Sequence, residues 1–258
     1  MTEAPVRQQV AIAGMGIAKR FGHVQALSNA TVIVRAGEVV ALFGDNGAGK
    51  STFLKVLQGI HRPDAGQVVI GDAPAALHSI RDAQLLGVDC VHQDLALAPD
   101  LSVVDAMFIG HELMSAGMKG RLGHLARGRM TEQADHALRE LSIKLPSLKT
   151  QIRDLSGGQR QAVAVARAVM WSDTAVLMDE PTAALGARQS EVVCELMRAV
   201  AARGLGVLVV SHDLPRVLKV ADRVVILWRG ATALDEPASD LTVPDVVTVM
   251  VGAQREAS

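Results

Sequence analysis

Eight consecutive residues carry the strongest chemical signal in the chain: Gly44-Asp45-Asn46-Gly47-Ala48-Gly49-Lys50-Ser51, followed by Thr52. They match the phosphate-loop pattern G-x-x-x-x-G-K-[ST], between an apolar run at Val39 to Phe43 and a helix-forming stretch from Thr52 to Leu57. A loop that wraps phosphates must turn its N–H groups inward, and glycines at 44, 47 and 49 allow the positive φ values this requires. The helix after the loop adds its positive end at the same place. Lys50 can reach the terminal phosphates, and the Ser51 hydroxyl can ligate a phosphate-bound Mg²⁺. A second chemical pair, Asp179-Glu180, closes another apolar run. Its first carboxylate suits Mg²⁺, often through water, and its second suits orienting or deprotonating an attacking water.

The elements that must position these groups are legible as well. Residues 39–43, 175–178, 207–210 and 224–227 have the near-continuous Val/Leu/Ile composition of strands covered on both faces, with helical patterns between them. Ligands of doubly wound parallel sheets bind beyond the carboxyl ends of the strands, so the residues just after each run bear on function. The phosphate loop comes after the first, Asp179-Glu180 after the second and Ser211-His212 after the third, so polar groups suited to nucleotide hydrolysis converge on one edge.

Ahead of the phosphate loop, Val10 to Ile12 and Thr31 to Val34 read as short strands of a β layer that Gln67 to Ile70 completes. The stretch from Leu95 to Thr150 reads as a helical insert. Within it Ala134, Ala137, Leu138 and Leu141 share one face behind an expected cap at Thr131. The basic stretch Gly117 to Arg129, with Lys119, Arg121, Arg127 and Arg129, reads as a solvated loop, contact with a partner or with lipid headgroups being the alternative. The expected partition is one α/β nucleotide domain. Residues 1–94 and 151–230 form a β subdomain plus phosphate-loop core, 95–150 a helical subdomain, and 231–258 a short tail with no room for a regulatory domain.

Composition excludes several classes. Net charge is -1 from 26 basic and 27 acidic residues, and aromatics are only 2%, so neither a cationic footprint nor stacking platforms point to nucleic acid. Met1 to Gln9 lacks an apolar signal region, and no apolar run approaches the ~18 residues of a membrane span. The expectation is a soluble, cytoplasmic chain that serves a membrane only by docking onto another polypeptide. Cys90 and Cys194 lie far apart without metal-type spacing and read as inert thiols of a reducing compartment.

At Leu155-Ser156-Gly157-Gly158-Gln159 the chain resembles the signature of the ATP-binding cassette family, and the resemblance spans essentially its whole length. Physically this is a second phosphate site, a serine and two glycines opening the helix Gln159 to Met170. The resemblance implies a P-loop NTPase fold with a mainly parallel sheet, a small antiparallel β subdomain and an inserted helical subdomain. It implies ATP and Mg²⁺ as bound species, and a head-to-tail homodimer in which each ATP lies between the phosphate loop of one copy and Ser156, Gly157, Gly158 and Gln159 of the other. Carried over residue by residue, Phe21 resembles the aromatic that stacks on adenine. Gln93 resembles the glutamine that contacts Mg²⁺ and the attacking water, and His212 the sensor of the γ-phosphate. Catalysis would then rest on Glu180, His212, Gln93 and Lys50, and the metal on Ser51, Gln93 and Asp179.

Within that family, Ile143 to Leu148, Ala183-Ala184-Leu185-Gly186 and Ser211 to Pro215 resemble the branch that imports simple sugars such as ribose, xylose, fructose or galactose. This implies an ATPase subunit at the cytoplasmic face of the cell membrane, joined to a multi-spanning permease and, through it, to a solute-binding protein. Uptake of another solute, or a soluble ATPase switch in cofactor assembly or DNA maintenance, is the alternative. One position departs from the family pattern. Gly186 stands where most cassettes place Asp, and it cannot supply the carboxylate used in communication between the two sites.

Overall fold

A computed structural model describes residues 9–117, 121, 123–183 and 185–252. Its backbone is one ten-stranded mixed sheet in the order β5-β4-β1-β2-β10-β9-β3-β8-β7-β6. The strands are β1 (Val10–Phe21), β2 (Val24–Arg35), β3 (Val39–Gly44), β4 (Ala65–Ile70), β5 (Ala73–Ala75), β6 (Val88–Val91), β7 (Ala175–Asp179), β8 (Gly206–Val210), β9 (Arg223–Trp228) and β10 (Ala231–Pro237). β3, β6, β7, β8 and β9 run parallel, as their two-sided apolar composition requires. β1, β2, β4 and β5 pair antiparallel and form the expected β layer. β1 and β2 are longer than their apolar runs, extending to largely exposed ends at Arg20-Phe21 and Val24-Gln25.

Alternation along β3 divides the core. Val39, Ala41 and Phe43 join a cluster on one face, while Val40 and Leu42 join a second cluster on the other. The second is filled by helix α1 (Lys50–Leu57), whose Phe53 packs so tightly on β1 that a Cβ at Gly14 would lie 2.6 Å from Phe53 Cζ. Burying a phenylalanine contributes about 1.5–3 kcal/mol, so the helix behind the phosphate loop is pinned from its first turn. The first cluster collects α3 (Val103–Phe108), α4 (Arg127–Glu140), α5 (Gly157–Met170), α6 (Ala187–Ala202) and α8 (Val243–Met250). Two shorter helices, α2 (Ile80–Leu85) and α7 (Leu214–Val217), lie between these elements in the chain.

Three expectations are corrected. Thr131 is not a cap: α4 begins at Arg127, and the Thr131 hydroxyl donates back to the Arg127 carbonyl at 2.8 Å. The end of the basic stretch is not a loop: Arg127 and Arg129 are helical, and Arg127 is paired to Asp105 at 2.9 Å; Lys119 lies outside the described residues, as do Met1 to Gln8. The segment after Gly230 is not a tail appended to the core. β10 pairs along β9 and bridges to β2, joining the antiparallel layer to the parallel sheet, and α8 packs on the same core. The face formed by Ala134, Ala137, Leu138 and Leu141 is buried as expected.

Candidate active site

The phosphate loop leaves the buried end of β3 and enters α1 through Gly49, which has φ 106 and ψ 0. A Cβ there would meet Leu27 Cδ2 at 2.6 Å and the Ala26 carbonyl at 2.7 Å, so only glycine fits. Gly44 and Gly47 also take positive φ, of 154 and 81. No side chain caps α1, so its first N–H groups and its dipole face the loop. The Lys50 ammonium folds under the loop and donates to the Gly44 carbonyl at 2.7 Å and the Asp45 carbonyl at 3.1 Å. Burial lowers its pKa, against the opposing pull of Glu180, Asp45 and Asp179. Asp45 also accepts from the Asn46 N–H at 2.7 Å, closing the turn.

These residues open into a cavity of about 800 Å³ whose wall contains Asn46 to Thr52, Gln93, Asp179, Glu180 and His212. Residues from four strand ends are thus assembled beyond β3, β6, β7 and β8. Asp179 ends β7, and burial raises its carboxyl above the usual value. Glu180 is next, in the left-handed region at φ 50, a strained conformation for a side chain of this size. Its carboxylate lies 3.2 Å from His212 Nε2 and also accepts from the His212 N–H at 3.2 Å. Burial raises the Glu180 pKa, and the neighbouring histidine works against that rise. Ser51, Gln93 and Asp179 present a hydroxyl, an amide carbonyl and one carboxylate to the shared cavity. That hard-oxygen donor set fits a Mg²⁺ ion that keeps waters and phosphate oxygens as its remaining ligands. Among the described residues no group of three or more His, Cys, Asp or Glu forms a metal cluster.

Ser156, Gly158 and Gln159 lie elsewhere, on a separate cavity of about 430 Å³. Ser156 caps α5 in a reciprocal box: its hydroxyl accepts from the Gln159 N–H at 3.3 Å, and the Gln159 side chain accepts from the Ser156 N–H at 2.9 Å. Leu185 and Gln189 cover the glycine pair, a Cβ at Gly158 lying 3.0 Å from Gln189 Cγ and one at Gly157 lying 3.2 Å from Leu185 Cδ2. Phe21 lies at the end of β1 and is 42% exposed. It pairs in register with Val24, which lines the larger cavity, although Phe21 itself is not part of that wall.

The family model described as "ABC transporter" matches residues 27–183. The chain belongs to the ABC transporter family. The cassette is 41% identical over 232 residues to a xylose/arabinose import ATP-binding protein of Sulfolobus acidocaldarius, covering 90% of each chain. It is 40% identical over 249 residues to a fructose import ATP-binding protein of Rhizobium meliloti, covering 96% of each. Among solved structures, a nucleotide-free ATP-binding cassette from an ABC transporter superposes with a TM-score of 0.79 over 96% of this chain and 100% of that one, at 21% identity. The fold is therefore that of an ABC cassette, as the motifs implied.

Several residues of this cassette's cavity carry no motif that would single them out in sequence. Gln25, Ala26 and Thr182 share its wall, beside Ala183 and Asp213 from the two segments that resemble the sugar-import branch. Thr182 and Ser211 are buried with their hydroxyls 3.4 Å apart, and Ser211 accepts from the Asp213 N–H at 3.0 Å, fixing the turn that carries His212. Thr182 has no sequence signal beyond its nearness to Glu180, whereas Ser211 is legible with His212 as the polar pair that follows β8. Strand β6, which delivers Gln93, is hidden in sequence because Asp89 interrupts its apolar run. At Gly186 no carboxylate is present, and its N–H donates to Gln189 Oε1 at 3.3 Å at the start of α6. Ala184 lies outside the described residues. Burial pushes the Cys194 thiol up to about 11 and raises that of Cys90 further, in keeping with inert thiols.

Proposed function

We propose that this chain is the ATP-hydrolysing subunit of a membrane importer for a monosaccharide, working as a head-to-tail homodimer on a separate multi-spanning permease. The observation that carries the reading is the gathering of Lys50, Ser51, Gln93, Asp179, Glu180 and His212 around one cavity that opens on the uncapped start of α1. A triphosphate fits there: Gly44 to Thr52 supply inward N–H groups, and Lys50 supplies positive charge to the terminal phosphates. Phe21, paired in register with the cavity-lining Val24, is the platform for adenine. Ser51, Asp179 and Gln93 would hold Mg²⁺, which when bound neutralises charge on the transferring phosphoryl group. Glu180 orients and deprotonates the attacking water, and His212 holds the Glu180 carboxylate and faces the γ-phosphate.

The separate cavity at Ser156, Gly158 and Gln159 supports the dimer, because one chain presents two phosphate-binding helix starts that do not share a cavity. A second copy turned head to tail brings them together over ATP. Closure on ATP and reopening after hydrolysis then move the permease, which would hold the cassette at the cytoplasmic face of the membrane. No helix among the described residues is long and apolar enough to cross a membrane. The names of the two sugar-import relatives support the solute class, and a solute-binding protein would deliver the sugar to the permease. Co-purification from detergent-solubilised membranes tests the reading. Recovery with a multi-spanning permease whose sugar uptake requires ATP is expected, and exclusive recovery in the cytosolic fraction would replace transport by a soluble ATPase switch.

A further inference from the structure

The loop after α1 is tied back onto the end of β1. The Asp64 N–H donates to the Ala18 carbonyl at 2.8 Å, and the Asp64 carboxylate accepts from the Arg20 N–H at 2.7 Å and from Lys19 Nζ at 2.8 Å. The His61 ring meets the Phe21 ring at a centroid distance of 5.0 Å and an angle of 68°, and Lys19 Nζ lies 5.7 Å from the same phenylalanine ring. The N–H groups of Ile60 and His61 both donate to the Lys55 carbonyl, at 2.9 and 3.2 Å. The position of His61 is therefore set by the C-terminal end of α1, whose other end is the phosphate loop.

An exposed phenylalanine at a strand end has free rotamers, and stacking a base on it would cost the entropy of fixing one. An edge-to-face ring contact removes that freedom in advance. We propose that His61 is a positioning residue for nucleotide binding: its ring fixes Phe21 in the orientation that receives the adenine base and ties that platform to the phosphate-binding helix. The inference rests on Phe21 being the adenine platform. It assigns His61 no contact with the phosphates and no part in the chemistry. Base affinity is thus set by a two-ring unit built from the end of β1 and the loop after α1, far apart in sequence.

Equilibrium binding of Mg-ATP and of inorganic tripolyphosphate to the full chain, with steady-state hydrolysis, tests it in wild type, Phe21→Ala, His61→Ala and His61→Tyr. Losing one aromatic pair corresponds to roughly a two- to tenfold weaker affinity. His61→Ala should weaken ATP by that factor, with the loss in KM rather than kcat. Tripolyphosphate binding should be unchanged, and His61→Tyr should restore ATP. If Phe21→Ala weakens ATP while His61→Ala binds it like wild type, the inference is overturned and the platform reading stands. If Phe21→Ala binds ATP like wild type, the platform reading itself falls and the inference with it. Equal loss of ATP and tripolyphosphate in His61→Ala, or a tyrosine no better than the alanine, also overturns it.

Discussion

The Glu180 carboxylate is held twice by one residue: His212 Nε2 lies 3.2 Å from one oxygen, and the His212 backbone N–H donates to the other at 3.2 Å. Both arms oppose the upward pKa shift that burial imposes on Glu180, the imidazole the more strongly, and the backbone arm also fixes the carboxylate's direction. Removing the imidazole should therefore leave the carboxylate aimed correctly but harder to ionise. In His212→Ala, kcat should fall, and the acid limb of the pH–rate profile should move to higher pH, because a general base works only when ionised. An acid limb that stays where it is in wild type would mean that Glu180 is not the titrating group.

Glu180→Gln keeps the side chain's shape and removes the carboxylate proposed as the base. ATP binding should survive, hydrolysis should drop by ~10² to 10⁴, and gel filtration with ATP should show a stable dimer. Near-normal turnover would remove Glu180 from its assigned role.

The same substitution should change stability with a definite sign. Burial raises the folded-state pKa of Glu180. A carboxyl raised in this way contributes stability that is complete below its unfolded value and is lost as pH rises through its folded value. Glu180→Gln should accordingly melt above wild type at about pH 7.5, with the difference closing below about pH 4. Equal Tm values at both pH extremes would contradict the raised pKa.

Gly47 and Gly49 both have positive φ, but only Gly49 faces a wall. A Cβ at Gly47 meets nothing within 4 Å, whereas one at Gly49 collides with Leu27 and with the Ala26 carbonyl. Gly47→Ala should cost only the backbone strain, about 1–2 kcal/mol, and retain measurable ATP binding. Gly49→Ala should lose more stability and abolish binding. Thermal melts and nucleotide titration of both variants decide, and equal damage would refute the steric account.

Gly158 tests the two-halves arrangement. Its Cβ position is 3.0 Å from Gln189 Cγ, so Gly158→Val must displace the Gln189 side chain that covers the start of α5 while leaving the phosphate loop untouched. The monomer should bind ATP like wild type, yet ATP-driven dimerisation should fail and hydrolysis should fall to the level of Glu180→Gln. Wild-type hydrolysis in this variant would mean that the site at Ser156 is not needed to complete the nucleotide site.

Local chemistry determined much of this protein from sequence. The phosphate loop, Asp179-Glu180 and the capped start at Ser156 depend on neighbouring residues, so their spacing survives reading in one dimension. The parallel strands were legible because burial on both faces leaves no polar alternation to confuse them. Tertiary structure decided what neighbours cannot encode. Thr131 has the chemistry of a cap but bonds backward inside a helix that started earlier, and Asp89 hides a strand whose remaining residues are supplied with partners by β7. The segment after Gly230 reads as a tail until β9 and β2 provide its hydrogen bonds. Above all, that Lys50, Gln93, Asp179, Glu180 and His212 meet in one cavity while Ser156 opens on another is a consequence of strand order and helix packing alone. Sequence named the groups of the site and set several of them at one sheet edge; only the fold gathered five of them around one cavity and put Ser156, Gly158 and Gln159 on another.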